Sequence, residues 1–73
     1  MIYNLKYGVE YTEPFTLLVP TTLKTIEEIH TIDTRNLIWS IDIIDNKYSI
    51  KFHTLYDCSI YNRLLQESVP VYG

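Results

Sequence analysis

The sequence predicts a small α+β domain. Its expected form is two hairpins, each followed by a helix, in the order β-β-α-β-β-α. The sheet is expected to be mainly antiparallel, with about four strands and both helices on one face. Three observations predict this. Residues 36–54 alternate with period 2 on both sides of a polar Asp45-Asn46 pair. Residues 2–19 alternate in the same way up to Pro20, with a break at Pro14. Two stretches, 21–33 and 54–68, instead carry apolar residues at helical spacing.

Residues 2–11 read as one half-buried strand. Tyr3, Leu5, Tyr7, Val9 and Tyr11 face one way, and Gly8 marks a bulge. Thr12-Glu13-Pro14 breaks it. Phe15, Leu17 and Val19 line a second strand that Pro20 ends. Keeping both odd-numbered faces together requires an odd loop. Pro14 cannot take the left-handed position of the common three-residue loop, so a longer loop or a bulge is expected.

The first helix is expected from Thr21 to about Asp33, with Leu23, Ile26, Ile29 and His30 inward and Glu27, Glu28 and Thr31 outward. Two starts compete. Thr21 or Thr22 can cap directly after Pro20, while Thr25-Ile26-Glu27-Glu28 spells a capping box. The many β-branched residues make it a poor helix by propensity, so packing has to hold it. Asp33-Thr34-Arg35-Asn36 is a polar stop.

The central hairpin follows. A two-residue turn at Asp45-Asn46 sets Ile43 opposite Tyr48, Ile41 opposite Ile50 and Trp39 opposite Phe52. Asp42 then pairs with Ser49, and Ser40 with Lys51, on the other face. A three-residue loop would set Asp42 against Ile50, because a one-residue slip flips every side chain. Both turn residues tolerate positive φ. The helices are expected on the face carrying Trp39, Ile41, Ile50 and Phe52. Ile38 and Ile44 fall on the opposite face with Asp42.

Thr54 or Asp57 caps a second helix. Its stripe is Ile60, Tyr61, Leu64 and Leu65, and Asn62, Arg63, Gln66 and Glu67 form its wet face. Ser68 and Pro70 end it. The extended tail from Val69 to Gly73 packs back or reaches a neighbour. No repeat or linker divides the chain, so residues 1–73 read as one domain.

Composition limits the function. The net charge is −3, with six scattered Lys and Arg, which argues against nucleic-acid binding. No apolar run approaches the roughly 20 residues of a membrane span. With one cysteine, no internal disulfide is possible, and a reducing, cytoplasmic compartment is the simple reading. The chain starts at Met1 with no leader pattern and is expected to be a complete product. Hydrophobic residues make up 47%, which excludes a disordered chain. There is no alanine, against ten isoleucines and seven tyrosines. That bias suits an AT-rich genome, such as that of a low-GC bacterium or its phages.

Catalytic signatures are weak. Cys58 would sit in the first turn of the second helix, where the dipole favours a thiolate, and His53 ends the preceding strand. The pair is the minimum for thiol catalysis. Against it, Asp57 opposes the thiolate, and His53 points away from Phe52 by parity. No zinc-ligand spacing and no glycine-rich phosphate loop occur, so no cofactor, metal or small-molecule substrate is expected.

Tyrosines and the tryptophan outnumber what one small core requires, and such side chains are enriched at interfaces. The leading expectation is therefore a small non-enzymatic protein-binding module. Its most concrete version is a phage or mobile-element protein that binds and inhibits or redirects a host protein. A homodimeric or other homo-oligomeric accessory subunit is the alternative, and a thiol enzyme using Cys58 and His53 is the second. The partner, another protein or a second copy, would meet Tyr3, Tyr7, Tyr11, Glu27, Glu28, Ile38, Asp42 and Tyr72.

Overall fold

A computed structural model describes residues 2–69. Met1 and residues 70–73 lie outside the described residues, and with them the expectations for Tyr72 and most of the apolar tail. The strands are β1 (Ile2–Asn4), β2 (Glu10–Thr12), β3 (Thr16–Pro20), β4 (Ile38–Ile44) and β5 (Lys47–Phe52). The helices are α1 (Ile26–Ile32) and α2 (Leu55–Ser68). All strand pairs are antiparallel, in the order β1-β2-β3-β5-β4, so the α+β architecture is as expected, with five strands rather than about four.

The extra strand comes from the first segment. Residues 2–11 are not one bulged strand but two short ones around a 3₁₀ turn at Lys6–Gly8. Tyr7 and Gly8 take positive φ, 61° and 77°, and this reverses the chain. Leu5 N–H then donates to the Val9 carbonyl at 2.8 Å, and Tyr3 pairs with Tyr11. The turn preserves parity, so alternation alone could not reveal it. Gly8 suits its place because a Cβ there would also lie 3.3 Å from Pro20 Cγ.

The connection from β2 to β3 corrects a second expectation. Thr12 pairs with Thr16, so the loop is the short Glu13-Pro14-Phe15. Phe15, not Pro14, takes the left-handed position, with φ 48°. Pro14 follows a cis peptide bond, and its carbonyl accepts from Thr16 Oγ1 at 2.8 Å. Phe15 still packs against the core.

The capping-box start is the one used for α1. Thr25 is the N-cap, its hydroxyl accepting from Glu28 N–H at 3.2 Å while Glu28 accepts from Thr25 N–H at 2.9 Å. The backbone hydrogen bond from Thr25 holds the Glu28 carboxyl below its ordinary value. Thr21 does not cap; its N–H and hydroxyl both donate to the Asn46 carbonyl at 3.1 Å, tying this segment to the central hairpin turn. With only a short run of helix, α1 depends on packing, and Ile29 is fully buried.

Thr54 caps α2 by accepting from Asp57 N–H at 3.1 Å. At the other end Lys24, largely buried, donates to the Ser68 carbonyl at 3.0 Å. A cation at this position complements both the orphan carbonyls and the helix dipole. Lys24 also lies 3.6 Å from Glu28.

Both helices cover one sheet face. Leu17, Val19, Ile50 and Phe52 meet Ile29 of α1 and Cys58, Tyr61 and Leu65 of α2 in one cluster. Burying each such aliphatic or phenyl group contributes about 1.5–3 kcal/mol before chain entropy is set against it. Tyr61 packs its ring against Phe52, with centroids 5.3 Å apart. Its hydroxyl donates to the Ile29 carbonyl at 2.9 Å, joining the two helices.

Candidate functional site

The two edges of the sheet differ in kind. β1 is three residues long, too short to template much pairing. β4 spans seven residues, with β5 on one side and, among the described residues, no strand on the other. Unpaired N–H and C=O groups along such an edge invite another strand.

Local sequence sets β4 in place. Asp33 ends α1, and its carboxylate accepts from Leu37 N–H at 2.7 Å and from Ile38 N–H at 3.0 Å. Asn36, with φ 54°, makes the turn between them. At the far end Asp45 and Asn46 take φ 51° and 61°, the positive pair a two-residue hairpin turn requires. The register is the expected one through most of the hairpin: Ile43 opposite Tyr48, Asp42 opposite Ser49, Ile41 opposite Ile50 and Ser40 opposite Lys51.

It fails at one position. The register shifts between Ile38 and Ser40, and Ile38, not Trp39, lies opposite Phe52. Trp39 is the extra residue of a bulge. It leaves the core face, remains 64% exposed, and stacks on His53 with centroids 5.3 Å apart. Ile38 takes the inward place and packs against the core, so it is not the outer-face contact expected of it. In Leu37-Ile38-Trp39 both parities are large and apolar, so alternation had nothing to choose between. Bulges recur at sheet edges and re-aim side chains.

The result is an apolar strip along the open edge. Trp39, Ile43 and Ile44 are each more than half exposed. Ile43 has core-face parity, but the helices stop short of it. Beside it a groove of about 510 Å³ is lined by Ile26 and His30 of α1 and by Ile38, Ile41 and Ile43 of β4. The one charged side chain within β4 is Asp42, exposed on the outer face. Edge strands are ordinarily blunted by charge, proline, shortness or a bulge; β4 has one charge, Asp42, and the bulge at Trp39, and from Ser40 to Ile44 it runs regular and without proline.

The other expected contact residues are scattered. Tyr3 and Tyr11 form a cross-strand pair, with centroids 5.8 Å apart, near the other edge. Tyr7 sits exposed in the first turn, and Glu27 and Glu28 lie on the outer side of α1. Only Ile38 and Asp42 belong to β4. Parity assigns Ile43 to the core and leaves it out of the expected set; it gives Trp39 the helix-covered face too, although the tryptophan counts with the tyrosines as an interface residue. Ile44, on the outer face by parity, is exposed.

Cys58 and His53 are not brought together. His53 is exposed against Trp39, while Cys58 is buried beside Leu17 and Tyr11. No hydrogen bond joins them among the described residues. Burial pushes the Cys58 thiol up to about 11, which keeps it protonated at neutral pH. Among the described residues no cluster of His, Cys, Asp and Glu is placed to hold a metal ion. No described helix is long and apolar enough to cross a membrane.

Comparison with protein-family models, with curated proteins and with solved structures returned no match. The functional reading therefore rests on the β4 edge itself.

Proposed function

We propose that the chain is a non-enzymatic protein-binding module whose β4 edge takes up an extended segment of another protein as an added strand. One observation carries this reading. Among the described residues a seven-residue edge strand is left unpaired on one side, with Trp39, Ile43 and Ile44 held in solvent beside it. Main-chain hydrogen bonds along the edge would supply affinity, and the groove beside Ile41 and Ile43 would select side chains. In its most specific form the partner is a host protein in a reducing, cytoplasmic compartment, inhibited or redirected by a phage or mobile-element product. The amino-acid bias, with ten isoleucines and no alanine, and the net charge of −3 motivate that form.

The test is capture from source-cell lysate with a tagged chain, run beside Ile43→Lys. Ile43 is 65% exposed, so the lysine leaves the fold intact and places a charge on the edge. The expected result is one protein held at fixed stoichiometry by the wild type and lost with I43K. Capture that I43K does not weaken would overturn the edge as the contact surface.

A further inference from the structure

From the pattern of β4 we infer that, without another partner, two copies of the chain close their β4 edges on each other in a single register centred on Ile41. The inference rests on the reading of β4 as a binding edge and adds how that edge is masked.

An antiparallel join about a two-fold axis perpendicular to the sheet keeps the helix-bearing faces together. Directly opposed residues then share parity, which leaves few registers. Centred on Asp42, two carboxylates oppose each other, which is destabilising. Centred on Ile43, Asp42 meets Ile44, and Ile41 falls against the turn residue Asp45. Centred on Ser40, Asp42 meets Ile38, and Ile43 and Ile44 fall against Leu37 and Asn36, before β4 begins. Centred on Ile41, Ser40 meets Asp42, Ile43 meets the Trp39 position, and Ile41 meets itself.

Three features favour this last register. The first is hydrogen-bond phase. A two-residue turn makes Ile44 and Lys47 a hydrogen-bonded pair, and bonding alternates along the ladder. Ile41 and Ile43 therefore turn their N–H and C=O groups to the open side, where the two Ile41 residues can exchange both bonds. The second is shape. The bulge has moved Trp39 off the core face, though it still lines the groove, so Ile43 of the second copy lies over a groove walled by Ile26, His30, Ile38, Trp39 and Ile41. The third is charge. Asp42 of the second copy lies beside Ser40, whose hydroxyl can donate to it. Lys51, paired with Ser40, is one strand further, about 10 Å from the incoming backbone and within reach of its own long stem. Among the described residues neither Asp42 nor Lys51 has an ion-pair partner within its own chain.

The interface is at the small end of the specific range, below about 1,200 Å² in total. It is therefore concentration-dependent, and a protein partner for β4 competes with it. The test uses sedimentation of the wild type and mild oxidation of two variants. In the proposed register Ser40 and Asp42 of different copies form a non-hydrogen-bonded pair, with Cα atoms about 4.5 Å apart, inside the span of a disulfide. The same side chain on two copies lies diagonally, beyond that span. A mixture of S40C and D42C chains is expected to cross-link at least tenfold more than either alone, and the wild type to move from monomer toward dimer as its concentration rises. Cross-linking of D42C by itself, or a wild type that stays monomeric to millimolar concentration, would overturn the inference. A monomer whose partner capture is still lost with I43K would sink the dimer and leave the binding edge standing. A dimer in this register with I43K-insensitive capture would do the reverse.

Discussion

Replacing Tyr61 with phenylalanine isolates one hydrogen bond in the core. The residue is fully buried, and its hydroxyl donates to the Ile29 carbonyl at 2.9 Å. That carbonyl is one of the four at the C-terminal end of α1 that have no ordinary helical partner. Asp33 N–H, which could have reached back to it, donates to His30 instead at 3.1 Å. The phenyl ring of the variant keeps its packing on Phe52. The loss is thus a buried acceptor left unpaired, worth about 1–3 kcal/mol, rather than the 0.5–1.5 kcal/mol or so of an average exchanged hydrogen bond. Taking about 2 kcal/mol, the melting temperature of a domain this size falls by about 10 °C. Total stability of order 4–11 kcal/mol makes that a large fraction. Urea unfolding followed by far-UV circular dichroism measures it, with an unchanged m-value showing that only stability has moved. A difference below about 0.5 kcal/mol would mean that the carbonyl has another partner, and the link between the helices would have to be reassigned. Burial, with a smaller push from Asp33, raises the Tyr61 hydroxyl above its ordinary value of 10. The unfolded chain therefore loses this proton first. The contribution is whole below pH 10 and is lost as pH climbs above it, by up to about 1.4 kcal/mol per unit. Y61F should lack this part of the alkaline loss.

Three further outcomes follow from the same structure. The Cys58 thiol ionises near 9 when unfolded and near 11 when folded. Its contribution, about 2–3 kcal/mol by linkage, is present below pH 9 and lost between pH 9 and 11. The native chain should also resist iodoacetamide at pH 8 and react once urea unfolds it; rapid native labelling would contradict the burial. Lys24→Met removes the cation from the end of α2 and should cost about 1.5 kcal/mol in urea unfolding, with little dependence on salt because the ammonium is largely buried. Asn46→Gly relieves a positive φ of 61° and should stabilise by about 0.5–1 kcal/mol; a loss of stability would mean that the Asn46 side chain has a role of its own.

Much of the fold was legible because burial imposes parity. The central hairpin register, both helices and both N-caps among the alternatives weighed follow from spacing and capping chemistry. Two features escaped for one reason. The turn at Tyr7-Gly8 and the bulge at Trp39 are backbone events that alternation does not record. The first preserves parity across a reversal. The second breaks parity where Leu37, Ile38 and Trp39 are apolar in both phases. The candidate site suffered most, since the bulge exchanges Ile38 for Trp39 at the surface. Ile43 differs: its parity is that of the core, but helical cover over it depends on where α1 begins, and α1 starts at Ile26 rather than at Thr21. Strand order was not readable, because nothing local says that β5 must pass between β3 and β4.

That passage of β5 between its neighbours has a consequence during synthesis. β3 is joined by β5 through pairs such as Thr16 with Lys51 and Pro20 with Lys47, about 30 residues apart. A ribosome adding 5–20 residues per second leaves one side of β3 unsatisfied for about 2–6 s after it emerges. Through that interval Leu17 and Val19 have no sheet neighbour beyond β2, and α2, which follows β5 in the chain, is not yet over them. The chain is most vulnerable to self-association before it is complete, and slowing its translation lengthens that exposure in proportion.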